Sequence, residues 1–146
     1  MVCLGKICRS PLAEGILKDK CKKKGLNWEI DSAGTGRWQV GNQPDKRSIE
    51  VAKNHGIDIT DQRARSVNSN DYGHYDIIYA MDTMNLRDLK AWVVDANEEA
   101  KIKLILKEIE GYPIDSVPDP YWNDNGFEAV FNMLDKACDA IIKKYG

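Results

Sequence analysis

Apolar residues recur at helical spacing soon after the chain begins. Leu12, Ile16, Leu17 and Cys21 fall on one face of a segment that runs from Pro11 to Lys23. Ser10 is a suitable N-cap, Pro11 fits the first turn, and Gly25 is placed to stop the helix. Residues 28–33 alternate between apolar and polar and predict a strand, followed by a glycine-rich loop from Gly34 to Gly41. Asp45 to His55 predicts a second helix, closed by Gly56. The run Asp76 to Met81 contains Ile77, Ile78, Tyr79 and Ala80 and suits a buried strand. Residues 83–94 read as a helix that starts after Asp82, and 101–106 fit a strand better than a helix. A last helix spans about 126–144, with Val130, Leu134, Cys138 and Ile141 along one side. Strands that alternate with helices predict an α/β fold with a parallel sheet. With no internal repeat and no low-complexity linker, the simplest organisation is one domain over residues 1–146.

Composition narrows the partners. A net charge of -2 gives no global positive field to attract nucleic acid or an anionic membrane. The lysine-rich stretch from Lys18 to Lys24 reads as the solvated face of the first helix, with a docking patch for an acidic partner as the alternative. No apolar run is long enough to span a bilayer, and no charged segment leads into an apolar one as in a secretory signal. Cys3, Cys8, Cys21 and Cys138 form no regular framework, so they are expected as reduced thiols in a cytoplasmic protein.

The segment Cys3-Leu4-Gly5-Lys6-Ile7-Cys8-Arg9-Ser10-Pro11 carries the chemistry. A loop between a cysteine and an arginine, leading into a helix, can turn successive backbone N–H groups inward as a nest for an anion. The helix N-terminus adds free N–H groups and the positive end of its dipole. Arg9 offers a planar fork that matches two phosphate oxygens. The same field favours the thiolate of Cys3, which can attack phosphorus and form a cysteinyl-phosphate. Ser10 can donate a hydrogen bond to the sulfur. A metal pair formed by Cys3 and Cys8 is the competing reading, but with two histidines and no second cysteine pair the chain offers few further ligands.

Expulsion of a phenolate needs a proton donor, which a thiolate cannot be. Val117-Pro118-Asp119-Pro120-Tyr121-Trp122 offers Asp119, with two prolines stiffening the loop. Tyr121 and Trp122 are expected to form an apolar wall that favours the protonated carboxyl, and to stack on an aromatic substrate. A plain Asp-Pro turn with core-filling aromatics fits the same residues.

Taken together, the two segments resemble the low-molecular-weight protein tyrosine phosphatases. Val2 to Pro11 matches that family's phosphate loop except at Lys6, and Asp119-Pro120-Tyr121 matches its general-acid loop. Asp31-Ser32-Ala33-Gly34-Thr35, Gly41-Asn42-x-Pro44-Asp45, Ala64-Arg65 and Met81-Asp82-x-x-Asn85-Leu86 resemble the family as well, so the likeness covers nearly the whole chain. It implies a doubly wound α/β domain with a four-stranded parallel sheet flanked by helices. It also implies hydrolysis of phosphotyrosine in proteins, and of small aryl phosphates, without metal or cofactor. By position, Cys3 is then the nucleophile, Arg9 the phosphate clamp and Asp119 the general acid and later base. Leu4, Gly5, Lys6, Ile7, Cys8 and Ser10 form the phosphate loop, and Trp38, Tyr121 and Trp122 line the substrate cleft. A disulfide between Cys3 and Cys8 is an implied protection against irreversible oxidation.

Two positions depart from the family pattern: Lys6 stands in place of asparagine, and Gln62 in place of a loop-bracing histidine. The chain also has only Met1 and Val2 before Cys3, so the first, central strand is expected to be truncated and the sheet weakened. Met1 is then expected to be an internal residue of a longer chain or the start of a shortened one. The exposed edges, together with Trp38 and Trp122, suggest a monomer or weak self-association. Three other readings are related. Arsenate reductases share the fold but need a mid-chain cysteine pair, absent between Met81 and Asp95. Protein arginine phosphatases carry threonine where Ile7 stands. A weakly active phosphopeptide-binding module would keep the anion loop without the turnover.

Overall fold

The computed structural model describes residues 1–5, 7–37 and 39–146; Lys6 and Trp38 lie outside the described residues. In chain order the elements are β1 (Val2–Cys3), α1 (Arg9–Lys24), β2 (Ala33–Gly34), α2 (Lys46–Asn54), α3 (Ser69–His74), β3 (Ile78–Ala80), α4 (Thr83–Ala91), α5 (Ala96–Glu99), β4 (Ile102–Leu104) and α6 (Phe127–Tyr145). The four strands pair in parallel in the order β2-β1-β3-β4. This is the expected doubly wound α/β arrangement, with helices on both faces.

Side-chain alternation along the strands explains the two faces. Val2, Ile78, Ala80, Ile102 and Leu104 point to one side and pack with Tyr72 of α3 and Leu89 of α4. Cys3, Tyr79 and Met81 point to the other and join the larger core of α1, α2 and α6. Both faces of the sheet are therefore covered, which is why its strands read as apolar runs. In α6, Val130, Leu134, Cys138 and Ile141 are all buried, as their spacing predicts.

The first strand is short, as expected, but it is present and central. Val2 pairs with Ala33 on one side and Ala80 on the other, and Met81 N donates to Val2 O at 3.0 Å. The predicted strand 28–33 is largely corrected: only Ala33 and its neighbour Gly34 join the ladder. The segment meets the first strand at its end, where Met1 N donates to Asp31 O at 3.1 Å and Ala33 N donates to Met1 O at 3.0 Å. Residues 28–32 and the approach to β3 are separated by a cavity of about 440 Å³ lined by Met1, Trp28, Ile30, Ile77 and Tyr79. Other boundaries also move. The fourth helix ends at Ala91, before residue 94, and the 101–106 segment is strand only over Ile102–Leu104 before a 3₁₀ turn at Ile105–Glu108.

Local chemistry accounts for most helix ends. Gly25 closes α1 at φ 68°, a left-handed conformation that suits glycine. Asp45, Asn68, Asp82 and Asp95 cap α2, α3, α4 and α5 with their side chains. Short α3 lacks an apolar stripe, but Asn68 and Asp71 form a reciprocal capping box around its start. Ser10 is corrected: it lies inside α1, whose N-cap is Cys8, and no side chain caps that helix.

Buried Tyr72 anchors α3 by donating its hydroxyl to Leu89 O at 2.8 Å, and burial pushes its pKa up to about 12. The fold therefore favours the neutral phenol. Its contribution is complete below the unfolded value of about 10 and is lost as pH rises from there to about 12. A Tyr72→Phe variant should melt below the parent at pH 8, and the gap between them should narrow above pH ~10. A gap independent of pH would contradict this assignment.

Candidate active site

The candidate residues gather at the C-terminal edge of the sheet, where parallel α/β folds place ligands. Cys3 ends β1, and the loop that follows returns directly into α1. Gly34 allows the close passage of this loop: a Cβ there would sit 2.8 Å from Leu4 O and 3.0 Å from the Gly5 carbonyl carbon. Thr35 N donates to Cys3 O and Gly36 N to Leu4 O, at 2.9 and 2.7 Å. On the other limb, Asp45 N donates to Ile7 O at 2.6 Å, and Ser48 Oγ donates to Cys8 O at 3.1 Å. The loop is thus held by its carbonyls from outside. Cys8 at the N-cap of α1 makes no side-chain cap hydrogen bond among the described residues, and a helix start of this kind suits an anion.

Cys3 is buried, with its Sγ 3.1 Å from Ser10 Oγ. This contact explains why Ser10 is no cap: its hydroxyl faces the sulfur. Cys8 is also buried. Burial first, then the charges of Asp45 and Cys3, push its thiol well above the ordinary range, so Cys8 stays a neutral thiol at physiological pH. No disulfide joins the four cysteines.

Arg9 is buried, and one nitrogen of its fork is held by protein oxygens. Its Nη1 donates to Asp82 Oδ2 at 2.7 Å and to Val117 O at 2.9 Å, while Nη2 lies 3.9 Å from Asp119 Oδ2. Burial works against its charge, but Cys3, Asp82 and Asp119 outweigh that and raise its pKa further. Asp82 does two jobs. Oδ1 accepts from Asn85 N at 2.7 Å and caps α4, while Oδ2 orients Arg9. The cap was legible in the sequence; the contact with Arg9, 73 residues away, was not. The motif around Asp82 was the available signal.

Asp119 comes to the same edge on an exposed segment. Its Oδ1 accepts from Tyr121 N at 3.1 Å, and its Oδ2 is the atom facing Arg9. The expected apolar wall is corrected. Tyr121 and Trp122 meet edge to face, but Trp122 is 89% exposed and Tyr121 37%. Both rings follow the carboxyl on the 3₁₀ turn Pro120–Trp122, which Asp119 itself caps. Leu4 is exposed beside the opening and Ile7 is half-buried. Lys6 and Trp38, expected in the loop and the cleft, lie outside the described residues.

Gln62 takes up the bracing position noted in the sequence. It is buried, its Nε2 donates to Pro11 O at 3.1 Å, and its Oε1 accepts from Ser32 Oγ at 3.5 Å. Ser32 also donates to buried Glu14, whose other oxygen accepts from Lys18 Nζ at 2.6 Å. The first turns of α1 are therefore tied to the segment before β2. The cavity beneath Met1 lies at the opposite end of the sheet and holds none of Cys3, Arg9 or Asp119.

The buried Cys3 thiol, the buried Arg9 guanidinium and the Asp119 carboxyl, 3.9 Å from that guanidinium, thus meet at one edge of the sheet. Comparison with known proteins places the site more closely. The family described as low molecular weight phosphotyrosine protein phosphatase matches residues 1–145, and the chain belongs to this family. It is 39% identical over 143 residues to the low molecular weight protein-tyrosine-phosphatase YfkJ of Bacillus subtilis, covering 97% of this chain and 90% of that one. The crystal structure of YfkJ superposes with a TM-score of 0.93 at 38% identity, over 98% of this chain and 90% of the other. The crystal structure of a Drosophila arginine phosphatase matches with a TM-score of 0.92 at 33% identity, over 99% of this chain and 94% of the other.

 Among the described residues, no helix is long and apolar enough to cross a membrane.

Proposed function

We propose that the protein hydrolyses phosphotyrosine in proteins, and small aryl phosphates, through a cysteinyl-phosphate on Cys3. The observation that carries this reading is the convergence on one opening of the Cys3 thiol, the Arg9 guanidinium and the Asp119 carboxyl. The phosphoryl group would sit in the loop between Cys3 and Arg9, against backbone N–H groups and the start of α1. Asp82 and Val117 O hold Nη1 of Arg9, which leaves the Nη2 side of the fork turned toward the opening. In the first step the Cys3 thiolate attacks phosphorus, the aryl–oxygen bond to phosphorus breaks, and Asp119 gives its proton to the leaving oxygen. In the second, Asp119 takes a proton from water as it attacks the cysteinyl-phosphate, which returns the thiolate and releases inorganic phosphate. Ser10 steadies the sulfur as it leaves.

Leu4, Ile7, Tyr121 and Trp122 give the opening an apolar rim that suits an aromatic phosphoester. The likeness to the Drosophila arginine phosphatase makes phosphoarginine the second substrate class to assay. Asp119→Ala should lower kcat/KM for aryl phosphates by about 10²–10³-fold and remove the alkaline limb of its pH profile, which reports the acid. An unchanged profile would remove Asp119 from the role.

A further inference from the structure

Arg47, in the first turn of α2, joins the two halves of the site. Its Nε and Nη2 donate to the two oxygens of Asp45, each at 2.9 Å. Its Nη1 donates to Asp124 Oδ1 at 2.5 Å. The guanidinium also lies over the Phe127 ring, 4.5 Å from its centroid, and 5.6 Å from that of Tyr121. Three of its four partners, Tyr121, Asp124 and Phe127, therefore lie on or directly after the segment that carries Asp119.

The fourth partner belongs to the other half. Asp45 N donates to Ile7 O, and Ser48 of the same helix donates to Cys8 O. The start of α2 thus grips the phosphate loop through its carbonyls, and the acid segment through Arg47. The link to the acid itself is Tyr121: its ring meets Arg47, and its backbone N–H donates to Asp119 Oδ1. An exposed ion pair such as Arg47 with Asp124 contributes little to stability by itself. A planar cation that meets two rings and two carboxylates on different segments instead fixes where those segments stand.

We propose that Arg47 is a positioning residue that clasps the acid segment to the phosphate loop and so sets Asp119 for proton transfer to the leaving group. This rests on the function proposed above. A misplaced acid harms substrates in proportion to their need for a proton. Phenyl phosphate, whose leaving phenol has a pKa of about 10, should suffer more than p-nitrophenyl phosphate, whose leaving group is far more acidic.

The test measures kcat/KM for both substrates in the parent, Arg47→Ala, Arg47→Lys, Asp119→Ala and the double variant Arg47→Ala with Asp119→Ala. Arg47→Ala should lose about tenfold with phenyl phosphate and under about threefold with p-nitrophenyl phosphate, with inhibition by inorganic phosphate unchanged. Arg47→Lys, which keeps the charge but not the fork, should fall between the parent and Arg47→Ala. In the double variant Arg47→Ala should add no further selective loss, because the acid it positions is gone. Equal losses on both substrates, or a parent-like ratio in Arg47→Ala while Asp119→Ala is selective, would overturn the clasp alone. A parent-like ratio in Asp119→Ala would overturn the acid assignment and the clasp with it.

Discussion

Replacing Cys3 with serine is expected to lower turnover of p-nitrophenyl phosphate by about 10⁵-fold or more while leaving anion binding in place. Serine keeps the small side chain next to Ser10 but offers a hydroxyl where a thiolate is required. The field of the loop and of α1 cannot make an alkoxide at neutral pH, so the nucleophile is lost. The anion nest is built from backbone, and Arg9 is held by Asp82 and Val117 O, neither of which involves the sulfur. Inorganic phosphate should therefore still raise the melting temperature of Cys3→Ser. Comparable hydrolysis by the variant would show that another group attacks phosphorus.

The second large effect is expected at Arg9. Lysine keeps the charge, but it cannot hold Asp82 and Val117 O with one nitrogen while presenting another to the phosphoryl oxygens. Arg9→Lys should lower kcat/KM for aryl phosphates by about 10³-fold, in line with the loss of preorganised donors to developing charge. Protection against melting by inorganic phosphate should weaken as well, which distinguishes this variant from Cys3→Ser. Because Arg9 is buried beside Asp82, the lysine variant is also expected to melt lower. A variant that turned over at the parent rate would contradict the clamp.

The parts of the site that were legible in the sequence are those close together in the chain. Cys3, Arg9 and Ser10 lie within one loop and helix start, where spacing alone implies proximity. Asp119 was legible through its proline-flanked setting and the family likeness. Asp82, Val117 O and Arg47 were not assigned to the site, because their contacts come from the crossing of distant segments at the edge of the sheet. Asp82 looked like a helix cap, and it is one, but its second oxygen serves Arg9. The directions of Tyr121 and Trp122 were also out of reach, since composition does not say which way a 3₁₀ turn points its rings.

The fold shows the same division. The apolar stripes of α1 and α6 and the buried runs of β3 and β4 follow from periodicity, because burial on a fixed face is what periodicity records. Residues 28–32 have the alternation of a strand, but the ladder takes up Ala33 and Gly34, and before them Met1 N bonds Asp31 O. Ser10 has the chemistry of a cap, yet its hydroxyl faces the thiol instead. In both cases a local preference yielded to a partner that only the assembled fold defines.

The central claim, covalent catalysis by Cys3, is tested most directly by trapping the intermediate. The Asp119→Ala variant, mixed briefly with p-nitrophenyl phosphate and quenched, should carry one phosphoryl group on the peptide that contains Cys3, and the same treatment of Cys3→Ser should leave that peptide unmodified. A phosphoryl group on any other residue, or rapid hydrolysis with no phosphoryl group on the enzyme, would contradict it.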